Sequence, residues 1–260
     1  MPQEITALLE GSYSVDASKK FIPFDATFHQ KADRPASLFI YVQPFLIKTE
    51  NELLVLDTGL GYNNDKGEMI LHQNIEKAGY NRHDVTKVLM THLHFDHSGG
   101  MVHNKNGKLE LSFPNAEYVV QRGEWETAFS SPSTSYRTEI FDVLQRSGSL
   151  HLVEGDGILT SEISYELTGG HSEFHQVFHI QTKQNHYFFG GDILPEPEQL
   201  IKKFVAKYDF DGRRALDLRL MYGQKAVEKD WICLFYHSDN APFAKIGKDD
   251  NGFIFKKMYD

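Results

Sequence analysis

The sequence predicts a layered α/β protein whose β-sheets contain both parallel and antiparallel strands. Short runs rich in β-branched and aromatic residues recur along the 260 residues, and segments with a helical spacing of apolar residues separate some of them. Some strand candidates stand alone between helices, as in parallel sheets, whereas others follow one another as hairpins do. This mixture favours layers built on mixed sheets over a single doubly wound parallel sheet.

Eight strand candidates and four helix candidates support this fold class. The strands are predicted at residues 37–49, 53–57, 87–90, 117–120, 163–167, 176–181, 186–189 and 231–235. The helices are predicted at residues 65–78, 123–129, 136–146 and 213–229. Gly79 supplies a C-terminal cap for the first helix, and Asp211 is placed to cap the N-terminus of the last one.

Length and composition restrict the class of protein. A chain of 260 residues is long enough for one large domain or two small ones. Because no internal repeat divides it, and because the Ser-rich stretch 130–135 fits a loop better than a linker, we expect a single domain over residues 1–260. The single cysteine, Cys233, rules out an internal disulfide and a cysteine-based zinc site.

The charge and hydropathy of the chain limit its partners. The most apolar stretch, residues 38–47, is too short to span a bilayer, and the N-terminus lacks the basic and apolar regions of a signal peptide. A formal net charge of −9 argues against nucleic-acid binding, which depends on lysine and arginine to neutralise phosphates. We therefore expect a cytoplasmic monomer or homodimer that binds a small-molecule substrate, with no nucleic-acid or membrane partner.

Residues 91–100, THLHFDHSGG, carry the strongest chemical signal in the sequence. His92, His94, Asp96 and His97 lie within six residues, directly after the apolar run 88–90. Imidazole and carboxylate groups are good zinc ligands, and imidazole also suits iron. On an extended or turning segment His92 and His94 project to the same side and can share one metal, while Asp96 and His97 can face a second. The sequence therefore predicts a metal centre here.

Four side chains cannot complete two metal sites, so further ligands are expected at the ends of later strands. His171, Asp192 and His237 each follow a predicted strand, and glycines precede the first two. A carboxylate such as that of Asp192 can bridge two metals, whereas His171 and His237 can each complete the shell of one ion.

These residues resemble the signature of a known family. The H-x-H-x-D-H pattern at 92–97 is similar to that of the metallo-β-lactamase-fold superfamily. The residues in and around it are most similar to those of the lactonase and organophosphate-hydrolase branches. The resemblance spans roughly residues 37–240. The other segments of the family pattern follow in the same order, at residues 56–59, 170–172, 191–192 and 237.

The resemblance implies an αβ/βα four-layer sandwich with two facing mixed β-sheets and two metals at their edge. By position, His92, His94 and His171 would bind the first metal. Asp96, His97 and His237 would bind the second, and Asp192 would bridge the two. Asp57 and His175 would orient the ligands from behind.

The function implied is that of a dinuclear zinc hydrolase that uses a metal-bridging hydroxide on a small lactone, ester or thioester. Asp96 and Asp192 would be its catalytic residues, and iron or manganese could replace the two Zn²⁺ ions. One position departs from the pattern of acyl-homoserine lactonases, because Pro195 stands where they carry an oxyanion-binding tyrosine. Tyr208 and Tyr222 are the candidates to replace it.

Two other functions of the same fold stay open at this point. Sulfur-oxidising dioxygenases with a single iron keep the signature, whereas oxygen-reducing diiron relatives replace its second histidine, which is intact here as His94. A phosphoesterase or nuclease is the other alternative, although the net charge of −9 argues against a nuclease. The identity of the bound metal would separate the hydrolase from the dioxygenase, and salt-dependent binding of RNA would reveal a nuclease.

Overall fold

The computed structural model describes residues 4–131, 133–238 and 241–258. In these ranges the strands are β1 Ile5–Ala7, β2 Gly11–Val15, β3 Phe21–Pro23, β4 Leu38–Val42, β5 Phe45–Lys48, β6 Leu53–Leu56, β7 Lys87–Leu89, β8 Val102–Lys105, β9 Lys108–Leu111, β10 Glu117–Gln121, β11 Leu150–Val153, β12 Gly157–Thr160, β13 Ile163–Leu167, β14 Gln176–Gln181, β15 His186–Phe189, β16 Ile232–Leu234, β17 Phe243–Asp249 and β18 Gly252–Lys257. The α-helices are α1 Ile70–Lys77, α2 Phe95–Ser98, α3 Arg122–Ser130, α4 Thr138–Ser147, α5 Glu198–Ile201 and α6 Gly212–Lys229.

Two large mixed sheets organise the described chain. The first has the strand order β1-β5-β6-β7-β10-β11. In it β6, β7, β10 and β11 run parallel to one another, whereas β5 pairs antiparallel with both β6 and the edge strand β1. The second has the order β12-β13-β14-β15-β16-β17-β18 and is antiparallel except between β15 and β16. A small sheet of β3, β2 and β4 stands beside them.

The two large sheets face each other across a buried apolar layer. One core cluster joins Phe45, Leu54 and Leu56 of the first sheet to Phe178 and Phe189 of the second. The rings of Phe45 and Phe189 meet edge to face, with centroids 5.8 Å apart. Because strand residues alternate between faces, the opposite face of each sheet is left to be covered by helices.

Helices cover both outer faces. Leu71 and Ile75 of α1, together with Phe141 of α4, pack on the outer side of the first sheet. Ala215 and Tyr222 of α6 pack on the outer side of the second. The predicted αβ/βα four-layer sandwich is therefore confirmed. Among the described residues, no helix combines the length and the apolar character needed to cross a membrane.

Two predicted elements differ from the structure for local reasons, and one predicted helix cap is present. The predicted strand 37–49 is two strands of different sheets, β4 and β5, because the chain changes sheet at Pro44. The predicted helix 65–78 begins only at Ile70, since the side chain of Asn64 accepts hydrogen bonds from the backbone of Lys66 and Glu68 and holds a turn there. The cap predicted for α6 is present, because Asp211 accepts from the Arg214 N–H at 3.0 Å.

Candidate metal centre

The residues that the sequence predicts as ligands meet at one edge of the sandwich. The segment after β7 carries His92 and His94 and then turns into α2, which carries Asp96 and His97. The other three come from the second sheet, where His171 lies between β13 and β14, Asp192 follows β15 and His237 follows β16. Both sheets thus contribute to one cluster.

Asp192 lies at the middle of this cluster. Its Oδ1 is 3.2 Å from Nε2 of His97 and 3.2 Å from Nε2 of His237, and its Oδ2 is 3.1 Å from Nε2 of His171. Asp96 lies further out, with its Oδ2 3.7 Å from Nε2 of both His97 and His237. The carboxylate of Asp192 therefore faces ligands of both expected sites.

The ligand atoms fall into three overlapping groups in which all donors lie within 4.8 Å of one another. These groups are His92, His94 and His171; His92, His97 and Asp192; and Asp96, His97 and His237. The first and third groups are the two three-ligand sets expected from the sequence. The second group shares His92 with the first and His97 with the third.

The hydrogen-bonding state of these atoms fits bound cations. Nε2 of His92, Nε2 of His97 and Oδ1 of Asp192 are buried and make no well-aligned hydrogen bond among the described residues, although Oδ1 of Asp192 lies 3.2 Å from Nε2 of His97. Leaving such atoms unpaired in an apolar interior is costly, so each requires a partner. Imidazole nitrogens and carboxylate oxygens that converge in this way are the donors that zinc and related metals prefer.

The charges of the cluster depend on one another. Burial alone would raise the pKa of Asp192, but the neighbouring His97, His171 and His237 hold it well below its usual range. Burial would likewise lower the pKa of His97, yet Asp192, Asp96 and Asp57 raise it well above the usual value. The carboxylates therefore favour positive charge at His97, and a metal cation would compete with protons for these atoms.

Asp57 and His175 lie behind the cluster, as expected from the sequence. Oδ2 of Asp57 is 2.7 Å from Nδ1 of His97, and the Asp57 carboxylate also accepts from the backbone and hydroxyl of Thr91. Nε2 of His175 accepts from the backbone N–H of Asp192 at 3.2 Å. These contacts fix the rotation of the His97 ring and the position of the Asp192 backbone.

Other supporting residues were not found from the sequence. Nδ1 of His171 is 2.8 Å from Oδ1 of Asp209, which is 38 positions later in the chain. Nδ1 of His237 lies 2.6 Å from the backbone oxygen of Tyr41. The ring of Tyr236 stacks on His97 with centroids 4.1 Å apart, and its hydroxyl donates to the Asp96 carbonyl. No local sequence pattern marks these residues, because they come close to the site only when the chain is folded.

A pocket of about 970 Å³ opens above the cluster, with His94, Asp96, Asp192 and His237 among its lining residues. Tyr136, Tyr208 and Phe210 contribute aromatic side chains to its walls. The small sheet of β2 to β4 supplies another wall, which the sequence did not indicate. The apolar and aromatic lining residues include Phe21, Leu38, Phe95, Tyr136, Tyr208 and Phe210.

The two tyrosines considered as replacements at Pro195 have different surroundings. Tyr208 lines the pocket, is partly exposed, and its ring centroid is 6.0 Å from that of His171. Tyr222 is buried in α6 and donates its hydroxyl proton to Glu166, 2.7 Å away on the second sheet. The expectation that Tyr222 could take this role was therefore wrong, because its hydroxyl is already engaged among buried groups outside the pocket.

Curated relatives share about half of the chain. The N-acyl homoserine lactonase AiiA of Bacillus thuringiensis subsp. kurstaki is 27% identical over 161 residues, which cover 54% of this chain and 58% of AiiA. The N-acyl homoserine lactonase AttM of Agrobacterium fabrum is 30% identical over 158 residues, which cover 56% of this chain and 50% of AttM. The chain thus spans just over half the length of AiiA and half that of AttM.

Solved structures share the fold over nearly the whole chain. A probable metal-dependent hydrolase from Staphylococcus aureus superposes with a TM-score of 0.75 at 22% identity, covering 100% of both chains. AidC, a dizinc quorum-quenching lactonase solved in complex with a product, gives a TM-score of 0.76 at 19% identity and covers 98% of this chain. The model of the metallo-β-lactamase superfamily matches residues 39–228. The chain therefore belongs to the metallo-β-lactamase superfamily, as its sequence predicted.

Proposed function

We propose that this protein is a dinuclear zinc hydrolase that cleaves a small lactone, ester or thioester. The observation that carries the proposal is the set of three overlapping donor groups lining the floor of a pocket large enough for such a substrate. When bound, two zinc ions would supply a hydroxide nucleophile at neutral pH and would polarise the carbonyl oxygen of the substrate.

The proposal gives each ligand a position. His92, His94 and His171 would hold the first metal, and Asp96, His97 and His237 the second, in agreement with the first and third donor groups. Asp192 would bridge them, which its distances of 3.1–3.2 Å to His171, His97 and His237 support.

Asp96 is the residue placed to handle the proton of the leaving group. Its carboxylate lies on the pocket floor and is less deeply buried than the rings of His92 and His97. A carboxyl group in this position can hold a proton next to the departing oxygen or sulfur atom. We propose that Asp96 does so in addition to contacting the second metal.

The substrate class rests on the relatives and on the pocket. AiiA and AttM, both named as N-acyl homoserine lactonases, match about half of the chain, and AidC shares its fold. Phe21, Leu38 and Phe210 give the pocket apolar walls suited to an acyl chain. Neutral lactones with an acyl chain are therefore the first substrates to test.

The test is to purify the protein without added metal, measure metal per chain by elemental mass spectrometry, and assay lactones, esters, thioesters and phosphotriesters. About two zinc ions per chain together with turnover of a carboxylic ester or lactone is the expected result. One iron per chain with oxygen consumption would replace the proposal by a dioxygenase, and turnover of phosphotriesters alone would replace it by a phosphoesterase.

Asp192→Asn tests the bridging role, because the amide keeps the side-chain shape but removes the charge. It should bind less metal and lose at least about 100-fold in kcat/KM. Asp217→Asn, on the exposed side of α6, is the matched control and should behave as the wild type. Full metal content and normal turnover in Asp192→Asn would contradict the role.

The cytoplasmic location, the monomeric or homodimeric state and the single domain stay predictions.

A further inference from the structure

Glu124 is a buried carboxylate that the proposed reaction does not use. It lies near the start of α3 and is 1% exposed. No lysine or arginine contacts its carboxylate in the hydrogen bonds and ion pairs of the described chain. A carboxylate in such a place is stabilised only by its hydrogen-bond donors, so the identity of those donors indicates what the residue does.

The donors come from three separate segments around the metal centre. Oε1 accepts from the backbone N–H of Leu93 at 3.0 Å and from the hydroxyl of Tyr136 at 3.2 Å. Oε2 accepts from the hydroxyl of Ser172 at 2.7 Å. Leu93 lies between His92 and His94, and Ser172 directly follows His171.

Glu124 therefore joins the two chain segments that supply one donor group. The segments are far apart in sequence, yet Nδ1 of His94 lies 3.1 Å from Nε2 of His171. The third donor, Tyr136, places its ring 5.2 Å from the His94 ring and lines the pocket. One side chain thus ties both histidine segments and a pocket wall to the same helix.

The packing of α3 against the histidine segment is close enough to make this link rigid. A Cβ atom on Gly123 would lie 2.2 Å from a ring carbon of Phe174, so the start of α3 touches the segment 171–175 directly. A side chain of glutamate length at the next position reaches both Ser172 and Leu93. A shorter side chain there would leave at least one of these buried donors without its acceptor.

We propose that Glu124 is a positioning residue that sets the spacing between the His92–His94 segment and His171, and so shapes the first metal site. The inference rests on the proposed function only in taking these three histidines as one metal site. It acts mainly through hydrogen-bond reach, because all three of its donors are neutral groups.

Three variants separate reach from charge. Glu124→Gln keeps the length and can accept from Leu93 through its oxygen while its amide group donates to the Ser172 hydroxyl. Glu124→Asp keeps the charge but is one methylene shorter, and Glu124→Ala removes the group. Trp125→Leu is the control, since it removes buried packing from the same helix and core cluster but leaves Glu124 and its three hydrogen-bond donors in place.

The first measurement is zinc affinity by competition with a chromophoric chelator. Glu124→Ala and Glu124→Asp should lose about 10- to 100-fold in affinity at one of the two sites, whereas Glu124→Gln should match the wild type. Trp125→Leu should melt at a lower temperature and keep its zinc affinity. Wild-type affinity in a folded Glu124→Asp, or an equal loss in Trp125→Leu, would overturn the inference.

A second measurement needs no metal and separates the inference from the proposed function. In the metal-free protein, the imidazole ¹⁵N shifts of His94 and His171 report how the two rings contact each other. These shifts should change in Glu124→Asp and stay as in the wild type in Glu124→Gln. Failure of the wild type to bind zinc would refute the proposed function, whereas unchanged shifts in Glu124→Asp would refute the role of Glu124.

Discussion

At the scale of single residues, Tyr208 is the one of the two candidate tyrosines whose surroundings suit a donor to a substrate oxygen. It lines the pocket beside His171, whereas the Tyr222 hydroxyl is held by Glu166. Removing one oxyanion donor costs about 100- to 1000-fold in kcat. We expect Tyr208→Phe to lower kcat by that order, with a smaller effect on KM.

Tyr222→Phe is the matched control for this prediction. It removes a buried hydroxyl and its bond to Glu166, so it should lower the free energy of unfolding by about 1 kcal/mol without changing kcat. Steady-state kinetics and denaturant unfolding of both variants check the pair. Equal kcat values in Tyr208→Phe and the wild type would remove Tyr208 from the reaction.

Glu10 makes stability depend on pH through a single buried acid. Burial raises the pKa of Glu10 from 4.5 to about 7, although the backbone N–H groups of Leu60 and Tyr62 favour its anion. The folded state therefore holds this proton more tightly than the unfolded chain. As pH rises from about 4.5 to 7 the unfolded chain releases its proton first, and the folded state loses about 3 kcal/mol of stability from this group.

Glu10→Gln tests this sign, because it removes the titrating group. Its amide nitrogen cannot accept from the N–H of Leu60 or Tyr62, so the variant should carry a loss of stability that is the same at every pH. Between pH 4.5 and pH 8 its free energy of unfolding should nevertheless rise by about 3 kcal/mol relative to that of the wild type. Denaturant unfolding of both proteins across this range is the measurement. A difference between the two that does not vary with pH would show that Glu10 has an ordinary pKa.

Residues differ in how far the sequence could predict their place in the site. The seven proposed ligands are predictable because each combines a metal-binding side chain with a position after a strand, and four of them share one short segment. Asp209 and Glu124 have neither feature. They reach the histidines through a loop and a helix whose positions depend on tertiary packing, which no local pattern encodes.

At the scale of elements, the turn after β15 is built for one backbone conformation. Gly191 has φ +47°, and a Cβ atom there would lie 2.8 Å from Nε2 of His175 and 2.8 Å from Cβ of Thr91. Gly155 also has a positive φ, +61°, but nothing lies within 4 Å of its Cβ position. The two glycines share a left-handed backbone and differ in the space around them.

Alanine substitution at Gly155 and Gly191 should separate the effect of backbone strain from that of steric collision. Gly155→Ala should cost about 1–2 kcal/mol of unfolding free energy and leave zinc binding unchanged. Gly191→Ala should cost more and also weaken zinc binding, because the turn must move and Asp192 moves with it. Zinc titration and denaturant unfolding check both variants, and equal zinc affinity in the two would show that the turn can adjust.

The strands differ in how well their sequence patterns predict them. Strands β13, β14 and β15 have the predicted bounds, because the apolar residues within them are flanked on both sides by polar residues or glycine. The strand pairs β8–β9 and β17–β18 were not predicted, since they carry several polar and charged residues. In such strands the pairing itself, and not an apolar pattern, determines the structure.

At the scale of the whole molecule, the candidate metal centre lies where the two large sheets meet. His92, His94, Asp96 and His97 follow a strand of the first sheet, and His171, Asp192 and His237 follow strands of the second. A core cluster already joins the sheets, which favours the single domain predicted from the sequence. Two metals bound here would link the sheets a second time, at the edge where the apolar layer ends.

Metal removal should therefore destabilise the whole molecule and not only the site. A ligand present at 1,000 times its Kd stabilises the folded state by about 4 kcal/mol, and 1 kcal/mol shifts Tm by about 2–4 °C in a chain of this size. Treating the zinc-loaded protein with a chelator should lower Tm by about 10 °C in a single transition. Scanning calorimetry of the wild type and Asp192→Asn measures this, and the variant should show a much smaller shift. A chelator-resistant Tm in zinc-loaded wild type, or two separate transitions, would show that the metals do not join the two sheets into one cooperative unit.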